Sequence, residues 1–130
     1  MSNRKRPLTD FAPLRFPFER DEIRVKVESG LPWFCATDLS RILQISNTRE
    51  FVRRLDEDEL QKLQCRDRKG RLVLMNFVSE SGLYALVLRT HQALEVGSIA
   101  HRFRGWIRKS LLPELRKSGL LSAGNQGAKA

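Results

Sequence analysis

The sequence is short of the residues from which compact active sites are usually built. It has two cysteines and two histidines in 130 residues. Cys35 and Cys65 form no Cys-x-x-Cys spacing, and His91 and His101 share neither a His-x-x-x-His pattern nor a neighbouring cysteine, so no metal site is expected and a disulfide framework has no basis. The cysteines read as small core hydrophobes in a reducing compartment, and the histidines as solvated or hydrogen-bonded. Long apolar runs are also missing. Charge interrupts every one well short of the ~18 residues of a membrane span, and the longest uncharged stretch, Ser118 to Ala128, is rich in glycine and serine. A secretory leader is not expected, because Asp10, Arg15 and Glu19 break the segment after the basic start Arg4-Lys5-Arg6 before an apolar core can develop. The expected location is cytoplasmic.

Catalytic signatures are scarce in the same way. The glycines at 30, 70, 82, 97 and 105 stand singly and make no phosphate-cradling loop. Ser79-Glu80-Ser81-Gly82 lacks the Gly-x-Ser-x-Gly elbow that exposes a nucleophile and suits a helix start instead. The acids Asp56-Glu57-Asp58-Glu59 could hold a divalent ion for a small nuclease, but a solvated turn is the plainer reading. The expectation is a protein that is not an enzyme and uses no cofactor.

Positive charge is abundant. Twenty-four Lys and Arg against 15 Asp and Glu give a net charge of +9, and the isoelectric point is near 10.4. Such an excess points to a polyanion, nucleic acid first and an anionic membrane or acidic protein second. The chain is one domain long. Its 41% apolar residues plus eight glycines fall within the roughly 45–50% of soluble globular proteins, enough for a core.

Periodicity predicts a small α+β domain in which antiparallel hairpins pack with several short helices. Residues 1–17, with Pro7, Pro13 and Pro17, read as a flexible basic arm, residues 18–119 as the domain and 120–130 as a flexible tail. Ile23, Val25 and Val27 alternate with charged residues as in a half-buried strand; Ser29-Gly30 turns the chain into a second strand through Ala36. Thr37-Asp38 offers a helix start for Leu39, Ile42 and Leu43, and Asn47 caps a second short helix carrying Phe51, Val52 and Leu55. A second hairpin follows, Leu60 to Cys65 and Leu72 to Phe77 joined by Arg66–Arg71. Ser79 opens a helix through Leu88. Thr90 to Ser98 connects it to another from Ile99 to Ser110, which Pro113 stops or kinks.

The basic residues fall into three groups. On the helix from Ile99, His101, Arg104 and Arg108 lie opposite the stripe of Ile99, Phe103, Trp106 and Ile107, a face that tracks phosphates or is simply solvated. Arg66, Arg68, Lys69 and Arg71 crowd the second hairpin's tip, either toward a nucleic-acid backbone or for solubility alone. Arg49, Arg53 and Arg54, preceded by Asn47 and Thr48, lie on the second short helix, whose pairing with the first is faintly like a helix-turn-helix. Thr48 and Arg49 would then approach base edges and Arg53 a phosphate, although Glu50 can instead pair with Arg54 at i+4.

The order of signals resembles a known family. Ile23-Arg24-Val25-Lys26-Val27, Pro32-Trp33-Phe34-Cys35-Ala36-Thr37-Asp38-Leu39, Ser46-Asn47-Thr48-Arg49, Val78-Ser79-Glu80-Ser81-Gly82-Leu83-Tyr84 and Phe103-Arg104-Gly105-Trp106 through Leu112-Pro113-Glu114-Leu115-Arg116-Lys117-Ser118-Gly119 resemble the Bro-N domain over about residues 18–119. That domain is the N-terminal module of baculovirus repeated-ORF proteins and of phage or prophage antirepressors. The resemblance implies an α+β module that binds DNA in viral proteins and belongs, in phages, to regulators that relieve repression or tune lysogeny. Leu83, Tyr84, Trp106 and Leu112 match family signatures but are apolar and periodic, so they are assigned to the core. Family antirepressors commonly carry a second, C-terminal domain, whereas here a short tail follows Gly119. The expected function is a prophage-type regulator that binds double-stranded DNA through its basic surface. The alternative is a protein-binding module that grips a repressor or host factor. A homodimer would suit a palindromic operator.

Overall fold

The computed structural model describes residues 13–67, 69–90 and 95–121. Alternation of apolar and charged residues puts Ile23 and Val25, both fully buried, on one face of a strand over Asp21–Glu28, here β2. Ser29 and Gly30 then reverse the chain with φ of 54° and 78°, the left-handed pair of a primed turn whose twist suits a hairpin. Leu31–Cys35 returns as β3 with Phe34 opposite Val25.

A strand also forms where an arm was expected. Leu14–Phe18 is β1, paired with β2 so that Phe16 faces Ile23. Pro17 disguised it, but an edge strand tolerates a residue without an N–H because half of its amides face solvent. Residues 1–12 of the expected arm, and 122–130 of the expected tail, lie outside the described residues.

Helix α1 (Ala36–Ile42) starts directly after β3, with Cys35 in the N-cap position and no side-chain cap; Thr37 and Asp38 therefore do not cap it. Asn47 does cap α2 (Thr48–Val52), its Oδ1 accepting from the Glu50 amide at 3.1 Å. A single 3₁₀ turn, Glu57–Glu59, leads into β4 (Leu60–Arg66) and β5 (Leu72–Val78). The strands form one antiparallel sheet in the order β1-β2-β3-β5-β4. Ser79 caps α3 (Glu80–Arg89) as expected, its Oγ accepting from Gly82 N. Gly82 lies so close to the 3₁₀ turn that an added Cβ would stand 3.1 Å from the Glu59 carbonyl, which gives this helix a reason for glycine in its first turn.

The last helix runs further than expected. Pro113 neither stops it nor bounds it: α4 (Ile99–Trp106) passes through a π-helical segment, Ile107–Leu111, into α5 (Leu112–Lys117). The π segment, closed by the Leu112 amide on the Ile107 carbonyl, directly precedes the proline, whose missing N–H the looser turn accommodates. It also sets register. Phe103, Ile107, Leu111 and Leu115 repeat every four residues and are all at most 1% exposed. On an α-helix each such step drifts ~40°, so three would carry Leu115 ~120° off the core. The extra residue in the π turn takes back about 100° of this and keeps the row on the core.

The helices cover one face of the sheet, where Phe34, Val25 and Val78 meet Leu39, Leu83, Leu86, Phe103 and Leu115. Each such large side chain contributes about 1.5–3 kcal/mol by leaving water. Phe18, Phe103 and Trp106 close one end, Phe18 lying 5.1 Å from each of the other two ring centroids. The opposite face holds a smaller cluster of Cys35, Cys65 and Phe77 with Trp33, Leu63 and Met75. Only Phe34–Val78 and Cys35–Phe77 join β3 to β5. Beyond them the β4–β5 hairpin curls over this second face: Lys26 on β2 reaches the Gln64 carbonyl on β4 at 2.6 Å, although β3 and β5 separate the two strands in the sheet.

Candidate nucleic-acid interface

The molecule's arginines divide by whether a carboxylate has reached them. The most enclosed is Arg24, in a family-like segment of β2. Its Nε and backbone N–H both donate to Asp38 Oδ2, at 2.9 and 2.8 Å, and its Nη2 donates to Oδ1 at 2.9 Å. Arg41 adds a fourth donor at 2.8 Å and meets Asp21 at 2.6 Å. Burial alone would raise the Asp38 carboxyl, yet the hydrogen bonds and charge of Arg24, with Arg41, hold it below the usual carboxylate range. The Asp38 hydrogen bond in turn holds Arg24 firmly protonated. Asp38 is the first-turn acid that the sequence predicted and is in addition the 1%-exposed anchor between β2 and α1. The missed signal is a charged residue in a strand where a core partner could neutralise it. The neighbouring Cys35 thiol is pushed up to about 11, chiefly by burial and then by the Asp38 charge, and is inert by that measure.

The short-helix group is dispersed. α2 ends at Val52, so Arg53 and Arg54 lie past it rather than on it. Glu50 pairs with Arg53 at 2.8 Å, not with Arg54, because the i+4 spacing needs a helix that continues. That pair lowers the Glu50 carboxyl and raises Arg53. Arg49 is exposed. Arg54 lines a cleft of about 420 Å³ with Asn47, Glu50 and Arg89, and Arg89 donates to the Phe51 and Arg54 carbonyls. The pair of helices that the sequence likened to a helix-turn-helix thus has a second helix of five residues.

At the second hairpin's tip one carboxylate organises the turn. Asp67 accepts the Lys69 and Arg71 amides, each at 2.9 Å, and pairs with the Arg71 guanidinium at 2.9 Å. The Arg71 backbone hydrogen bond comes first among the causes that set its carboxyl low. Arg66 donates to the Gly70 carbonyl, and Lys69 is exposed. Arg68 lies outside the described residues, as does His91.

The C-terminal helix differs. Phe103 and Ile107 point to the core as expected, while Arg104 is half-buried and Arg108 exposed. Arg104, Arg108 and Arg116 stand at four-residue steps along this helix, with Leu112, 3% exposed, at the step between the last two. These three arginines act electrostatically on Tyr84 of α3, opposing only in part the burial and the Glu80 charge that raise its hydroxyl. Among the described residues, neither these arginines nor Arg49, Arg54 or Lys69 forms an ion pair, whereas Arg53, Arg71 and Arg102 do. Arg116 was not singled out from the sequence, because the helix was expected to end near Ser110, before Pro113, whereas it continues to Lys117.

The acids at 56–59 serve structure: Glu59 accepts the Asp56 amide at 3.0 Å and the Ser81 hydroxyl at 2.9 Å. Among the described residues no group of three or more His, Cys, Asp or Glu side chains is placed to hold a metal ion, and no helix is long and apolar enough to cross a membrane.

Comparison with known proteins gives one family and one curated relative. An uncharacterized protein of Haemophilus influenzae is 28% identical over 105 residues, 80% of this chain, and the chain spans half of that relative's length. No solved structure matches the chain. The family described as BRO family, N-terminal domain matches residues 22–113, from β2 to the first turn of α5, and the chain belongs to that family.

Proposed function

We propose that the protein is a DNA-binding regulator of the antirepressor-like kind, engaging duplex DNA through cations that pair with no carboxylate among the described residues. The observation that carries this reading is that Arg104, Arg108 and Arg116, on the helix that packs on the core, all act on Tyr84 and form no ion pair among the described residues. Cations carried on a packed helix are preorganised to meet phosphates, and family membership and the +9 charge agree with that use. Arg49, Arg54 and Lys69 extend the same chemistry to other parts of the surface.

The test is fluorescence-anisotropy titration of the full chain with a random duplex and with the duplex upstream of its own gene, at several salt concentrations. Each phosphate contact contributes about 0.9 to the slope of log affinity against log salt, so Arg104→Ala with Arg108→Ala lowers the slope by about 1.8 if both reach phosphates. Tight binding with upstream preference supports a sequence-reading regulator. Weak, equal binding to both duplexes overturns it and turns attention to capture of a repressor protein.

A further inference from the structure

We propose that the β4–β5 hairpin is a two-stranded ribbon that enters the major groove of DNA and reads base edges. This rests on the DNA-binding reading above and adds a site that the cation pattern alone does not reveal. The curl that turns buried Cys65 and Phe77 and half-buried Leu63 and Met75 toward the second cluster leaves the other side of the hairpin facing outward. Register then fixes what that side presents: Lys62 opposite Asn76, Gln64 opposite Leu74, and Arg66 opposite Leu72. The helix layer reaches only the hairpin's base, where Leu60 and Val78 meet. Beyond it Leu72 is 40% and Leu74 64% exposed.

The chemistry of these six side chains is specific. Exposed leucines by themselves would suit a protein partner. Here they sit among two amides and two cations, and neither strand contains an acidic residue. The one acid of the connecting turn, Asp67, is drawn into the turn's own amides and Arg71. A charge-complementary partner is therefore polyanionic. Gln and Asn pair bidentately with adenine edges, Arg and Lys with guanine, and apolar side chains contact the thymine methyl, all displayed in a groove wide enough for a two-stranded ribbon. From Lys62 to Arg66 the ribbon advances ~14 Å, about four base-pair steps. Ribbon and helix arginines then divide the work, base edges for one and phosphates for the other.

The experiment starts from a duplex selected from a random pool by the full chain, with affinity measured for it and for an unselected duplex. Gln64→Ala with Asn76→Ala lowers the selected-to-unselected affinity ratio tenfold or more and leaves unselected binding within about twofold. Replacing thymine by uracil in the selected duplex weakens the wild type, and Leu74→Ala abolishes that difference. Unchanged thermal unfolding shows that both surface variants are folded. A wild-type chain that binds no duplex at low salt overturns the parent reading and this one together. Binding with selectivity intact in both variants overturns the ribbon alone. Self-association relieved by Leu72→Ser and Leu74→Ser, with selectivity intact, makes the face a protein contact and likewise overturns it.

Discussion

Arg24 and Arg104 are the same residue put to opposite uses, and the difference lies in what surrounds them. Arg24 sits between two sheet faces with Asp38 at three hydrogen-bond distances, so its charge is spent inside the fold. Arg104 stands beside a buried row with no ion pair among the described residues. Burying a lone charge costs several kcal/mol, so a carboxylate must accompany the first; water solvates the second, so nothing needs to. A net charge of +9 counts both alike. An interface is found by asking which cations the fold leaves unpaired.

Removing the enclosed carboxylate is the strongest way to break this contrast. Asp38→Asn leaves Arg24 charged and enclosed without its counter-ion and is expected to cost about 3–5 kcal/mol, read as a lowered denaturant midpoint. A midpoint within error of wild type would mean that the network is solvated. Acid should act on the same carboxylate more gradually. Because folding depresses the Asp38 pKa, its contribution is complete above the unfolded value near pH 4 and is lost as pH falls through the lower folded value. Thermal midpoints are therefore expected to be level above about pH 5 and to drop below about pH 4, with a shallower drop in a folded Asp38→Asn chain.

On the other side of the comparison, Arg104→Ala with Arg108→Ala is expected to leave the free energy of unfolding within about 0.5 kcal/mol of wild type while changing the salt slope of DNA binding. A large loss of stability would show these arginines to be as structural as Arg24. The smallest effect belongs to Arg53, paired to Glu50 in open solvent: Arg53→Ala should not move the thermal midpoint measurably. Between these extremes, Cys35 and Cys65 should resist alkylation in the native protein and react on unfolding, followed by mass spectrometry.

Elements specified by neighbouring residues were legible in the sequence. The Ser29-Gly30 turn, the Asn47 and Ser79 caps and both hairpins depend on groups within a few positions of each other. β1 was not legible, because an edge strand with a proline carries little local signal and exists by pairing with β2. The π segment was not foreseen where Pro113 was expected to stop or kink the helix, since a four-residue repeat and a proline together have meaning only against a core that holds the row in place. The candidate site followed the same division. The basic character of the last helix and of the hairpin tip was visible, while Lys62, Gln64 and Asn76 gained interest only once the hairpin's outward side was known.

By itself the sequence determined the α+β class, the two hairpins, the excess of positive charge and the family-like segments, all set by composition and short-range spacing. The tertiary structure decided which charges remain for a partner. Asp38 reaches Arg24 across 14 positions and Glu19 reaches Arg102 across 83. A carboxylate neutralises a cation only within a few ångströms, and at such separations only the folded chain fixes that distance.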